Sequence, residues 1–101
     1  MPARGDYVVI ATDLNRRGVF AGILAVHDEA ARTIILQEAR NCLYWSAATH
    51  GFLGLASIGP QAGSRVSSAV PELSLDGVTA ILVATPEART AWESEPWTDP
   101  A

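Results

Sequence analysis

The chain has 101 residues, of which 49% are apolar and 18% charged, and its net charge is −4. That length suits one domain around one core. Eleven acids against seven bases argue against a broad basic face for gripping a nucleic-acid backbone. The seven bases are all arginine, a residue whose forked donors suit phosphate or carboxylate. Cys42 is the single cysteine, so an internal disulfide and the usual zinc site are both ruled out. The first ten residues carry no apolar signal core, and no stretch reaches membrane-spanning length. A cytosolic protein is expected.

Residues 1–6 read as a tail. Residues 7–12 are β-branched and read as a strand. Residues 13–18 form a polar turn with Asn15 and Gly18. The run GVFAGILAVHD, residues 18–28, is apolar at both alternating sets of positions. Such a strand is central or bent, and Gly22 in its middle marks a bend or bulge. After a turn at residues 28–31, residues 32–37 read as a third strand and residues 41–46 as a short fourth. His50 and Gly51 turn the chain into a fifth at residues 52–56. Residues 59–65 carry the strongest loop signal, with two glycines and a proline beside Ser64 and Arg65. Residues 66–70 read as extended, residues 72–76 alternate with period two, and residues 78–83 form an apolar strand. Thr85, Pro86 and Glu87 combine an N-cap, a first-turn proline and an acid at the positive end of the helix dipole. Ala88, Ala91 and Trp92 share one side of that helix, which Pro96 ends. The expected domain spans residues 7–96, with a second tail at 97–101.

Two resemblances add to this reading. Residues 7–40 order a strand, a polar turn with glycine, a long strand bent at Gly22 and Leu24, an Asp28 turn and an aliphatic strand. That order resembles the first half of an Sm-like or SH3-like small barrel. It implies a mostly β fold: a small SH3/Sm-like barrel with an inserted strand-loop segment and a short C-terminal helix. The second Sm motif, a short run ending in Arg-Gly, is not evident. The whole chain is similar to a family of small, functionally unassigned proteins encoded by bacteriophages and prophages. The matching residues are Gly18, Gly22, Ala39, Arg40, Tyr44, Trp45, Pro71, Glu72 and residues 85–88. That similarity implies a phage origin and supplies no catalytic residues.

The stretch ARNCLYWSAATHG, residues 39–51, concentrates the chemistry. On a strand, Asn41, Leu43 and Trp45 share one face, while Cys42, Tyr44 and Ser46 share the other. One of the two aromatics then belongs to the core and the other to the surface. An exposed ring beside an arginine suits a nucleotide-like ligand, since the ring stacks on a base and the guanidinium takes phosphate. Arg40 is nearest in sequence, with a strand-end ion pair to Glu38 or Asp28 as the plainer role. Arg65 is the second candidate. It sits in a Gly/Ser loop that either presents N–H and hydroxyl groups to an anion or is only a connection. The ligand-binding candidates are therefore Arg40, Asn41, Tyr44, Trp45, Ser46, His50, Ser64, Arg65 and Ser67.

Catalysis has little support. His50 with Cys42 or Ser46 lacks a carboxylate to orient the imidazole. His27 and His50 lie too far apart in sequence to form a ligand motif. No catalytic residue, metal or cofactor is expected. Phe20, Trp92 and Trp97 are candidates for subunit contacts. The reading favoured by these residues is a homo-oligomeric, phage-encoded binder of a nucleotide-derived small molecule. Its alternatives are a protein-binding inhibitor or phage accessory, an Sm-like RNA binder, which the acidity opposes, and a small phosphodiesterase that degrades such a signal.

Overall fold

The structure is a computed structural model, and it describes residues 3–12 and 18–94. Residues 13–17 of the expected turn at 13–18, Pro96 and the Trp97 contact lie outside the described residues. Among the described residues, six strands and two short helices follow in chain order: β1 (Tyr7–Thr12), β2 (Val19–Asp28), β3 (Thr33–Tyr44), α1 (Gly51–Ser57), β4 (Arg65–Val66), β5 (Val70–Leu75), β6 (Val78–Val83) and α2 (Pro86–Glu93). One 3-10 turn (Ala47–Thr49) precedes α1. The fold is mostly β, built on one antiparallel sheet, with a short C-terminal helix. No helix among the described residues is long and apolar enough to cross a membrane.

The sheet runs β5-β3-β2-β1-β6, and β4 continues the β5 edge along the far end of β3. Of its several register shifts, the one between β2 and β3 at Gly22 organises the sheet. Ala21 faces Arg40 and Ile23 faces Gln37, so Glu38 and Ala39 together oppose Gly22. Glu38 takes a positive φ of 52°. A side chain at Gly22 would stand 2.9 Å from the Gln37 carbonyl oxygen, so only glycine fits the close approach. An extra residue in one strand reverses which side chains face which way beyond it. Ile34, Leu36 and Ala39 therefore face an inner core with Val8, Ile10, Leu24 and Val78. Beyond the bulge, Cys42 points to the opposite face, into an outer core with Tyr7, Val9, Ala21, Leu55, Val66 and Trp92.

The expected barrel is not seen as a closed ring. Asp76 and Gly77 carry the chain from the β5 edge to the β6 edge, and at that end Val78 N–H donates to the Arg32 carbonyl at 3.1 Å. Arg32 Nε donates back to the Val78 carbonyl at 3.2 Å. The sheet curls enough to bring these ends together, but β5 and β6 form no ladder, so it stays open.

Two other expectations are corrected. Residues 41–46 are not a separate strand, because β3 runs on through the bulge to Tyr44. Residues 52–56 are helical, within α1. A five-residue apolar run has no decisive period, and here Leu55 and Ala56 bury on the sheet while Leu53 points outward, 67% exposed. Gly54 lets this helix fold back on the preceding turn, because a side chain there would collide with the Thr49 carbonyl.

The second helix forms as its cap signals imply. Thr85 Oγ1 accepts from Ala88 N–H at 3.0 Å and donates to the Ser57 carbonyl at 2.7 Å. Trp92 is wholly buried and donates from Nε1 to the Leu55 carbonyl at 2.9 Å. Its own chain encloses it, so it offers no surface to a second subunit. Phe20, the other interface candidate described, packs on the inner core with its ring over Gly18. Residues 3–6 are tied to β2: Gly5 N–H donates to the Leu24 carbonyl, and Leu24 N–H donates to the Asp6 carbonyl.

Because the bulge depends on a missing side chain, Gly22→Ala should lower the unfolding free energy by about 1–3 kcal/mol. Urea denaturation followed by circular dichroism measures this.

Candidate functional site

The bulge and a second irregularity decide which residues of the 39–51 stretch reach the surface. Arg40 lands on the outer-core face and is buried. Its Nη1 donates to the Ser67 carbonyl at 3.1 Å, which holds the β4–β5 junction against β3. Asn41 and Ser67 complete that junction: Asn41 N–H donates to Ser67 Oγ and Ser67 N–H donates to the Asn41 carbonyl, both at 2.9 Å. An incoming phosphate would have to displace protein to reach this buried guanidinium.

The register shifts between Cys42 and Tyr44, so Cys42 pairs with Val66 while Tyr44 pairs with Arg65. Cys42 is buried. Tyr44 is 57% exposed, and Arg65 is exposed as well. Trp45 is partly buried and packs on the outer core. Thus Trp45 is the core aromatic and Tyr44 the surface one. Direct cross-strand partners hold their side chains about 5 Å apart at Cβ. The arginine beside the exposed ring is accordingly Arg65 rather than Arg40. No hydrogen-bond or ion-pair partner engages the Arg65 guanidinium among the described residues.

The Gly/Ser loop is not a loose connection. Ser64 is buried, and its Oγ accepts from Ser46 N–H at 3.0 Å and lies 3.2 Å from Thr49 Oγ1. Thr49, wholly buried, accepts from Gln61 N–H at 3.1 Å. Gly59 and Gly63 supply the positive φ values of 81° and 95° that the loop path requires. The Ser46, Ser64 and Ser67 hydroxyls are thereby engaged within the chain. They serve to pin the turn at residues 46–50 and the loop at 59–64 behind the Tyr44/Arg65 pair. His50 is exposed on that turn with φ 66°, a left-handed conformation that lets the 3-10 turn pass directly into α1.

Burial pushes the Cys42 thiol up to about 11, and a backbone hydrogen bond at Tyr44 only partly opposes this. Burial thus favours the protonated form of the thiol. Tyr7 is also buried, and its hydroxyl oxygen has no hydrogen-bond partner among the described residues. Burial raises its pKa first and Glu93 adds to that, while Arg40 and Arg89 oppose it. Arg89 lies over the Tyr7 ring at 5.2 Å and is itself paired with Glu93 at 3.1 Å. No group of three His, Cys, Asp or Glu side chains is placed to hold a metal among the described residues.

A family described as a domain of unknown function, DUF6948, matches residues 5–92. The chain belongs to this family. The DUF6948 match begins beside the β2 contact at Gly5 and ends at Trp92, so it takes in the sheet, both helices and the Tyr44/Arg65 edge. None of the proteins with curated descriptions matches the chain. Sequence reasoning missed Leu43, which is 55% exposed beside Tyr44. Its only signal was strand alternation, and that cannot reveal a register shift.

Removing the buried Ser64 hydroxyl leaves Ser46 N–H without its acceptor. Ser64→Ala should cost about 1–3 kcal/mol and speed amide hydrogen exchange at residues 46–50. The raised thiol pKa gives a second expectation. An unfolded Cys42 ionises near the ordinary value of 9.0 and the folded one at about 11. Between these values the unfolded state holds fewer protons, so the thiol's contribution to stability is intact below pH 9 and declines as pH rises toward 11. Unfolding curves across that range should fall less steeply for Cys42→Ala than for the parent.

Proposed function

We propose that the protein binds a planar, anionic small molecule of the nucleotide-derived class and does not turn it over. The observation that carries this reading is the cross-strand pairing of exposed Tyr44 with exposed Arg65. An aromatic face stacks on a base of any sequence, and an unengaged guanidinium offers a bidentate grip on phosphate. The hydroxyl network behind the pair holds its backbone in place, which reduces the ordering cost of binding.

In the phage setting implied by the sequence resemblance, such binding would sequester a host immune signal of the cyclic-nucleotide or cyclic ADP-ribose type. Capture of that kind needs only stoichiometric affinity. The curled sheet is, on this reading, an opened small barrel of the SH3/Sm-like kind. Its strand order β5-β3-β2-β1-β6 and the two-residue link between the edge strands support that kinship.

Native mass spectrometry with a pool of cyclic di- and trinucleotides and cyclic ADP-ribose isomers should show a discrete retained mass increment. Calorimetry with the retained compound should then show Tyr44→Ala and Arg65→Ala each weakening binding by about tenfold or more, while Leu53→Ala leaves it unchanged. Absence of any increment across the pool would refute the reading.

A further inference from the structure

The chain contains one Asp-Gly step, Asp76-Gly77, and that step is the whole link between β5 and β6. The two strands it joins form no ladder with each other. Gly77 takes a φ of 67°, in the left-handed region that glycine enters without strain. Its N–H makes no hydrogen bond among the described residues. Asp76 is exposed and lines an open cleft of about 530 Å³ with Thr33, Ile35 and Ser74, so water reaches its carboxyl group. A backbone nitrogen that belongs to glycine has no neighbouring Cβ to crowd it, and here it stands next to a carboxyl carbon.

We propose that Asp76 is a site of spontaneous covalent modification, in which the link rearranges through a cyclic imide to an isoaspartyl form. The Gly77 nitrogen attacks Cγ of the Asp76 carboxylic acid. The new N–C bond closes a five-membered ring, and the amide proton and the carboxyl hydroxyl leave together as water. Water then adds to either ring carbonyl. Opening at Cγ restores aspartate. Opening at the main-chain carbonyl leaves the backbone running through Cβ and Cγ, with the carboxylate on Cα. Water is the co-reactant, and the net composition is unchanged.

The other described aspartates lack this arrangement. Asp6 precedes buried Tyr7, and its Oδ2 accepts from Ala3 N–H at 2.8 Å. Asp28 precedes Glu29, and its Oδ1 accepts from Ala31 N–H at 3.1 Å. In both, the following residue carries a side chain that crowds the attacking nitrogen.

The consequence falls on the curl of the sheet. The residue after the link is Val78, whose N–H and carbonyl are both bonded to Arg32. Arg32 holds a φ of 58° to make that contact. The rearranged link is longer by one backbone carbon. It removes the tight connection that keeps Val78 against Arg32, so this end of the sheet opens more readily. The modification is independent of the Tyr44/Arg65 pair.

Warm, mildly acidic incubation of the folded chain in heavy-oxygen water, then tryptic digestion in ordinary water, reads the reaction. The peptide of residues 66–89 contains Asp76 as its single aspartate. It should gain one heavy oxygen and separate by chromatography into two species of equal mass. The peptide of residues 18–32, which carries Asp28, should do neither. Asp76→Glu should abolish the uptake, because the ring would need an additional carbon. Asp76→Asn should speed the rearrangement, with ammonia leaving in place of water. In the rearranged chain, amide exchange at Val78 should be faster than in the parent. The proposal is overturned by a 66–89 peptide that gains no more heavy oxygen than the 18–32 peptide, by uptake that survives Asp76→Glu, or by unchanged exchange at Val78 in the rearranged chain.

Discussion

The bulge where Glu38 and Ala39 face Gly22 is the constraint on which the rest of the molecule depends. A twelve-residue strand with strict alternation would send Ile34, Leu36, Arg40 and Cys42 to one face. The extra residue divides β3 into two halves with opposite orientation. The first half lines the inside of the curled sheet, and the second half supplies the floor for the helices. Glu38 pays for this with a left-handed backbone, a strain that persists because two cores are packed against it.

From that division the helical layer follows. The outer face beyond the bulge is apolar and needs a cover, and α1 and α2 provide it. They are joined by Trp92, whose indole donates to the Leu55 carbonyl, and by Thr85, which caps one helix and bonds to the end of the other. The surface pair forms by the same mechanism. Once Cys42 is drawn into the outer core, the shift at Tyr44 turns its ring outward and sets it opposite Arg65. Arg40 is consumed in the process, because its guanidinium holds the strand junction from inside. An exposed edge that sets an aromatic ring opposite an arginine thus arises as a by-product of how a long strand changes faces.

Much of the architecture was legible in the residues. The strands at residues 7–12, 18–28 and 78–83, the flexure at Gly22 and the cap at Thr85 all have local causes: β-branching, a missing Cβ, a hydroxyl before a proline. The apolar run at residues 52–56 was not legible as a helix, because its pattern satisfies either period and only the space above the sheet selects one. Among the site residues, sequence proximity favoured Arg40 as the neighbour of the exposed ring, whereas strand pairing chose Arg65. Sequence distance carries no information about which of two arginines a register places across a ladder. The same limit hid Leu43.

The sequence by itself determined that this is an acidic, mostly β chain with one thiol, a kinked long strand and a capped terminal helix. These features depend on composition and on interactions within a few residues. The tertiary structure alone decided that Trp45 is core and Tyr44 is surface, that the serines of the loop point inward, and that the sheet stays open at β6. Each of those depends on pairing between segments distant in the chain. A shift of one residue in such pairing exchanges inside for outside.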